Sequence, residues 1–327
     1  MKALVAIILS LCAAALHAAP APQAQAQVQA QVQELKITIL STMVADYGMH
    51  GEWGFSALVE ADGRKLLVDT GAAPGTVLEN ARLLGLDLSD VEDVVLTHNH
   101  DDHTAGLLSL REALRARNPQ AMSRVHVAPA IFLSRPEGGA ESNYMQLHRD
   151  EMEKLGIAFV VHGEPTELLP GVWFSGPVPR KFPERNWSGK GLMVLDGKTV
   201  EDTIPEDSSI AFNTARGTVL LSGCGHAGVV NTMSFVQERL LPGRPIVTLV
   251  GGFHLFALND ERLDWTGQQM QAFGVKWLLG AHCTGFESVY HLRRQLGLPR
   301  EAAIVAVVGT RYSLRDGITP GRTGLNR

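Results

Sequence analysis

The chain shows no strong excess of either charge. Its 29 basic residues face 34 acidic ones, for a net charge of −5, which excludes the basic stripe of a nucleic-acid binder. Charged residues are 19% of the total against 45% apolar, so the body is not disordered and can bury a sizeable core. A membrane-length apolar run is missing at the N-terminus too. Leu4 to Leu16 is apolar but for Ser10, and falls short of the roughly 20 residues a span needs. It has the length of a secretory signal core, with Lys2 before it and Ala18 as the small residue at a cleavage point. Residues 1–18 therefore read as a signal peptide, and the mature protein as periplasmic or secreted with no membrane span. Leu11 stands before Cys12 where lipid attachment wants a small residue, which argues against an anchor. Cysteine is scarce as well. Of three, Cys224 and Cys283 remain after cleavage, and in an oxidising compartment they can pair.

Residues 19–34, rich in Ala, Gln and Pro, read as a flexible tether. A single domain is expected over 35–327. Strands are expected at 36–44, 56–60 and 65–69, with Asp62-Gly63 as a hairpin turn between the last two. A helix follows at 74–84, bounded by Pro74 and Gly85. The segment 91–97 reads as a strand and 104–117 as a helix. Further strands are expected at 125–128 and 157–161, with a helix near 145–155. Residues 176–207 carry many Pro, Gly and charged residues and read as a long loop or lid. The second half predicts strands at 208–213, 218–222, 246–250, 276–279 and 303–308, and helices at 227–240, 260–273 and 286–296. Two mixed sheets packed face to face with helices outside would bury both faces.

Histidine is plentiful, with 12 in the chain. In Thr97-His98-Asn99-His100-Asp101-Asp102-His103-Thr104, four side chains, His98, His100, Asp102 and His103, form a metal-binding pattern. In an extended stretch residues two apart point the same way, so His98 and His100 can reach one ion. The turn into a helix re-aims Asp102 and His103 to a second position. Imidazole and carboxylate suit zinc, with iron or manganese as alternatives. Three more strand ends carry similar residues: Ser222-Gly223-Cys224-Gly225-His226, Gly251-Gly252-Phe253-His254-Leu255 and Ala281-His282-Cys283-Thr284-Gly285. His126, His148, His162 and His291 read as structural or surface residues.

The run His98-x-His100-x-Asp102-His103, with Leu67-Val68-Asp69-Thr70-Gly71 before it, resembles the signature of the metallo-β-lactamase superfamily. Trp53-Gly54-Phe55-Ser56 and the three later strand-end motifs resemble one branch, named for an archaeal dihydropterin/aminobenzene ribofuranosyl 5′-phosphate synthase. The likeness covers about residues 36–310. It implies an αββα sandwich with two divalent metal ions, zinc first. It places His98 and His100 on the first ion, Asp102, His103 and His282 on the second, and Asp69 behind them. Two departures stand out. The family's further histidine has no convincing match between 140 and 210, and Cys224 takes the place of the bridging carboxylate. His226 is a candidate for the missing imidazole. Cys224 has three readings: thiolate ligand, disulfide partner of Cys283, or inert residue.

The expected chemistry is hydrolysis by a metal-bound hydroxide. The substrate would be a small molecule, anionic ones included: a phosphoester or a carboxylic ester, lactone or lactam. Asp102 would orient the nucleophile, and His254 is a candidate for proton transfer. Arg180 and Lys181 are candidates to hold a substrate anion. The alternatives are a transferase like the branch's namesake, or a non-catalytic metal-binding or sensing protein.

Overall fold

A computed structural model describes residues 29–321. The signal segment 1–18 and the first part of the tether lie outside the described residues. Two large sheets face one another. The first has eight strands in the spatial order Gly317–Thr319, Arg311–Ser313, Leu35–Ser41, Ser56–Ala61, Arg64–Val68, Asp93–Val95, Arg124–Val127, Ala158–Val161. The second has seven, in the order Ala303–Val305, Trp277–Gly280, Ile246–Gly251, Gly217–Ser222, Ser209–Thr214, Val172–Phe174, Thr166–Leu169. Ile37, Val59, Val68, Phe174, Phe212 and Leu221 belong to one apolar core made from both sheets. Helices Thr76–Leu83 and Gly106–Arg115 supply side chains to a second core with the outer face of the first sheet. Helices Val229–Phe235, Asp260–Phe273 and Phe286–Gln295 do the same for the second sheet. This is the expected αββα sandwich, since each sheet is buried on both faces and needs apolar residues at consecutive positions.

Strands running in parallel lie side by side within each sheet: Arg64–Val68 with Asp93–Val95 in the first, and Gly217–Ser222, Ile246–Gly251 and Trp277–Gly280 in the second. Their carboxyl ends open into loops on one rim, the usual location of ligand sites in such sheets. No helix among the described residues is long and apolar enough to cross a membrane.

Several boundaries differ from expectation. The ordered body begins before Leu35: Val32 bridges Thr214 in parallel and is 1% exposed, and Asn213 Nδ2 donates to the Ala30 carbonyl at 2.7 Å. A single apolar residue, Val32, docks residues 29–34 of the expected tether into the inter-sheet core. The helix expected at 104–117 instead has two pieces, Asp101–Thr104 and Gly106–Arg115. Its second piece lies against the loop after Arg64–Val68, where a Cβ at Gly106 would collide with the Thr70 carbonyl. The segment 176–207 is not a plain loop, for it contains the hairpin Leu192–Leu195 with Lys198–Glu201.

Candidate metal centre

Three strand ends hold a non-glycine residue in the left-handed region: Asp69 at φ 55°, His254 at φ 50° and His282 at φ 44°. Such a backbone costs about 1–3 kcal/mol per residue and persists where the surroundings enforce it. Asp69 shows how. Its carboxylate is fully buried and accepts from the Thr97 N–H and hydroxyl, both at 2.8 Å, while Oδ2 lies 2.7 Å from His103 Nδ1. One side chain thus joins two neighbouring strand ends and fixes which nitrogen of His103 faces the rim.

His98, His100 and His226 come together as a triangle, with ring centroids 4.6 Å apart for His98–His100 and 4.8 Å for each of the other two pairs. Their ligand atoms lie within 4.8 Å of one another. His98 and His226 are buried, yet Nε2 of each has no hydrogen-bond partner. In both rings the other nitrogen is held: His98 Nδ1 lies 3.1 Å from the Thr97 hydroxyl, and His226 Nδ1 donates to the Asn186 carbonyl. Two buried imidazole nitrogens without a partner are costly unless something else occupies them. Burial, then the neighbouring imidazoles, push His98 and His226 well below the ordinary histidine pKa, and His100 is lowered to about 4. Burial thus favours in all three the neutral imidazole, the form that binds metal.

Asp102, His103 and His282 form a second group within the same 4.8 Å limit. Asp102 Oδ2 is 3.2 Å from His282 Nε2 and 3.8 Å from His103 Nε2. His282 Nδ1 is buried without a partner, and its backbone N–H donates to the Thr42 hydroxyl at 2.9 Å. Burial opposes a proton on His103, but the Asp102 and Asp69 carboxylates outweigh it and raise the pKa to about 9. Burial likewise opposes charge on Asp102, and the His103 and His282 rings override it, holding the carboxyl below its usual range.

Cys224 lies between these groups. It shares one ligand cluster with His98 and His103, another with His226 and His254, and a third with His282 and Cys283. Both cysteines are free and buried. Burial pushes the Cys224 thiol up. It opposes ionisation of Cys283 too, but contact with Cys224 and the nearby His282 and His254 hold that thiol low. His254 is half-buried, with Nδ1 3.4 Å from Cys224 Sγ.

Not every candidate joins the centre. Lys181 pairs with Glu238 at 2.6 Å, and Arg180 donates to the Thr203 and Ile204 carbonyls. Both side chains are engaged by these partners. His126 contacts Asp93 at 2.8 Å and His162 at 2.9 Å, His148 contacts Glu151, and His291 contacts Asp264. Sequence reasoning missed Asn186 and Thr42, while the Trp53 motif it did single out brings that ring to 5.0 Å from His282. It also missed a buried ion network: Arg135 binds Asp202 at 2.6 Å and Glu206 at 2.7 Å. A cavity of about 560 Å³ opens beside His100, lined by Asp101, Tyr144, Lys190 and Asp202 among others. The segment once read as a lid supplies part of its wall.

Comparison with known proteins now bears on this arrangement. The family model described as the metallo-β-lactamase superfamily matches residues 54–130, which include Asp69 and the whole histidine run. A solved structure described as a metal-dependent hydrolase of the β-lactamase superfamily superposes with a TM-score of 0.69 and 25% identity, over 85% of this chain and 98% of that one. The fold is that of the metallo-β-lactamase superfamily. A curated relative from Methanocaldococcus jannaschii, 7,8-dihydropterin-6-methyl-4-(β-D-ribofuranosyl)-aminobenzene-5′-phosphate synthase, is 28% identical over 266 residues, 78% of this chain and 89% of its own. An uncharacterized protein of the same archaeon is 27% identical over 256 residues, 78% of this chain and 93% of its own. The branch likeness read from the later motifs therefore stands, and these two relatives extend it over most of the chain.

Proposed function

We propose that this protein is a metal-dependent hydrolase with two divalent ions, zinc in the first instance, acting on a small molecule outside the cytoplasm. The observation that carries the reading is the pair of buried Nε2 atoms on His98 and His226 that have no protein partner, in rings that cluster with His100. An all-imidazole group plus a carboxylate–imidazole group, with a thiol between them, suits zinc better than oxygen-seeking ions. His98, His100 and His226 would hold one ion, and Asp102, His103 and His282 the other, with Cys224 reaching both. Ions bound there supply a coordinated water with a pKa lowered toward about 7 and polarise a substrate oxygen.

The chain's own groups do the rest. Asp69, Thr97 and Asn186 hold the far nitrogens of His103, His98 and His226, so the rings cannot rotate away. Asp102, the more exposed member of its cluster, would orient the attacking water. His254, half-exposed beside Cys224, is placed to hand a proton to the departing oxygen. The cavity beside His100 admits the substrate. Its lining mixes Lys190 with Asp101 and Asp202, which favours one compact ester, phosphoester, lactone or lactam over a highly charged anion.

The second reading is transfer chemistry of the kind named for the synthase relative, favoured by 28% identity over 89% of that protein. Zinc-loaded protein assayed on phosphodiester, phosphomonoester, lactone and β-lactam substrates separates the two. Turnover abolished by chelation and restored by zinc is expected. A metal-loaded protein inert on the whole panel would shift the case to transfer or binding. The leader supports export. The mature protein, purified from the periplasm or medium, is expected to begin at Ala19, and a start at Met1 would argue against it.

A further inference from the structure

Cys283 has no part in the chemistry proposed above, yet its position is tightly specified. It is buried on the turn after Trp277–Gly280, and its Sγ lies 3.0 Å from Cys224 Sγ, 59 residues away in sequence. The His254 N–H donates to Cys283 Sγ at 3.3 Å, and His254 Nδ1 lies 3.4 Å from Cys224 Sγ. Gly252 permits the approach, since a Cβ there would collide with the Gly223 carbonyl and sit 3.1 Å from Cys283 Sγ. A disulfide needs the sulfurs at about 2.05 Å, so they must close by only about 1 Å. Cys224 also belongs to the ligand cluster with His98 and His103. A sulfur in a disulfide is no longer a thiolate donor, so a bond to Cys283 withdraws one donor from the centre.

We propose that Cys224 and Cys283 form a reversible disulfide that gates the metal centre. Two S–H bonds and the O–O bond of a hydroperoxide break, the S–S bond forms, and two electrons pass from sulfur to peroxide. With hydrogen peroxide, the two oxygens leave as two waters. A dithiol reductant reverses the step. Metal and disulfide then compete for Cys224, and in the oxidising compartment implied by the leader, bound metal keeps the thiols apart. The gating consequence rests on the metal reading; bond formation does not.

The test uses the reduced mature protein, with and without added zinc, treated with hydrogen peroxide. Intact mass, peptide mapping and bound zinc are measured on the same samples. The expected result is loss of two hydrogens, a linked Cys224–Cys283 peptide and release of zinc, all reversed by dithiothreitol. Prior zinc loading should slow the bond by about tenfold. Cys283→Ser should keep its zinc under the same treatment. Two alkylatable thiols after peroxide would overturn the proposal, as would a linked peptide with bound zinc unchanged. If no zinc binds before oxidation, the metal reading fails while the mass shift still reports on the thiol pair.

Discussion

Asp69 holds the backbone of one strand end, the N–H of the next and one nitrogen of His103. Asp69→Asn keeps the size of the side chain but loses the charge and turns one acceptor into a donor facing His103. The expected result is a folded protein whose zinc affinity drops about 10–100-fold, measured by competition with a chromophoric chelator. Unchanged affinity would remove Asp69 from the account. Much of the centre was legible at this scale. The x-spaced histidine run and the strand-end motifs marked nearly every side chain that converges, including His226, which the structure sets beside His98 and His100. Less legible were Asn186, which acts through its backbone carbonyl, and Thr42, which holds the His282 N–H. A backbone acceptor leaves no trace in residue identity. Arg135, Asp202 and Glu206 were hidden because an ion network spanning 67 and 71 residues has no local spacing to detect.

At the scale of elements, the helix Val229–Phe235 lacks a side-chain cap of its own, since Gly228 stands at that position. Glu184, from the segment covering the site, caps it by accepting from Val230 and Asn231 at 3.1 and 2.8 Å. Burial raises its pKa from 4.5 to about 7, against the pull of those N–H groups. The folded state therefore holds a proton that the unfolded chain releases. This contribution to stability is complete below about pH 4.5 and is lost as the pH rises through about 7, with an upper bound of ~3 kcal/mol. Glu184→Gln should remove that dependence. Denaturation of both proteins at pH 5 and pH 8 is expected to show the variant gaining on the wild type at the higher pH. An identical difference at both pH values would contradict it. The missed elements are instructive here. Asp196-Gly197 and Asp316-Gly317 carry the same turn signal as Asp62-Gly63. They join Leu192–Leu195 to Lys198–Glu201 and Arg311–Ser313 to Gly317–Thr319. Their flanking strands are only three or four residues long, too short to show alternation. Thr166–Leu169 and Val172–Phe174 escaped for the same reason.

At the scale of the molecule, the αββα plan followed from apolar strands buried on both faces, and the sequence pattern was sufficient to expect it. The docking of residues 29–34 was not, because one valine in a polar repeat decides it. Metal should act as part of the fold, since the rim is built from strand ends of both sheets. Any ligand that binds the folded state alone stabilises it, by about 4 kcal/mol at a thousandfold excess over Kd. Chelation is therefore expected to lower the melting temperature reversibly, and an unchanged melt would weaken the case. The most direct measurement is the zinc content of the reconstituted mature protein beside His226→Ala, by elemental analysis on samples shown to be folded. Two zinc ions per chain in the wild type and one in the variant are predicted. A wild type that binds none, or a variant that binds as much as the wild type, would contradict the account.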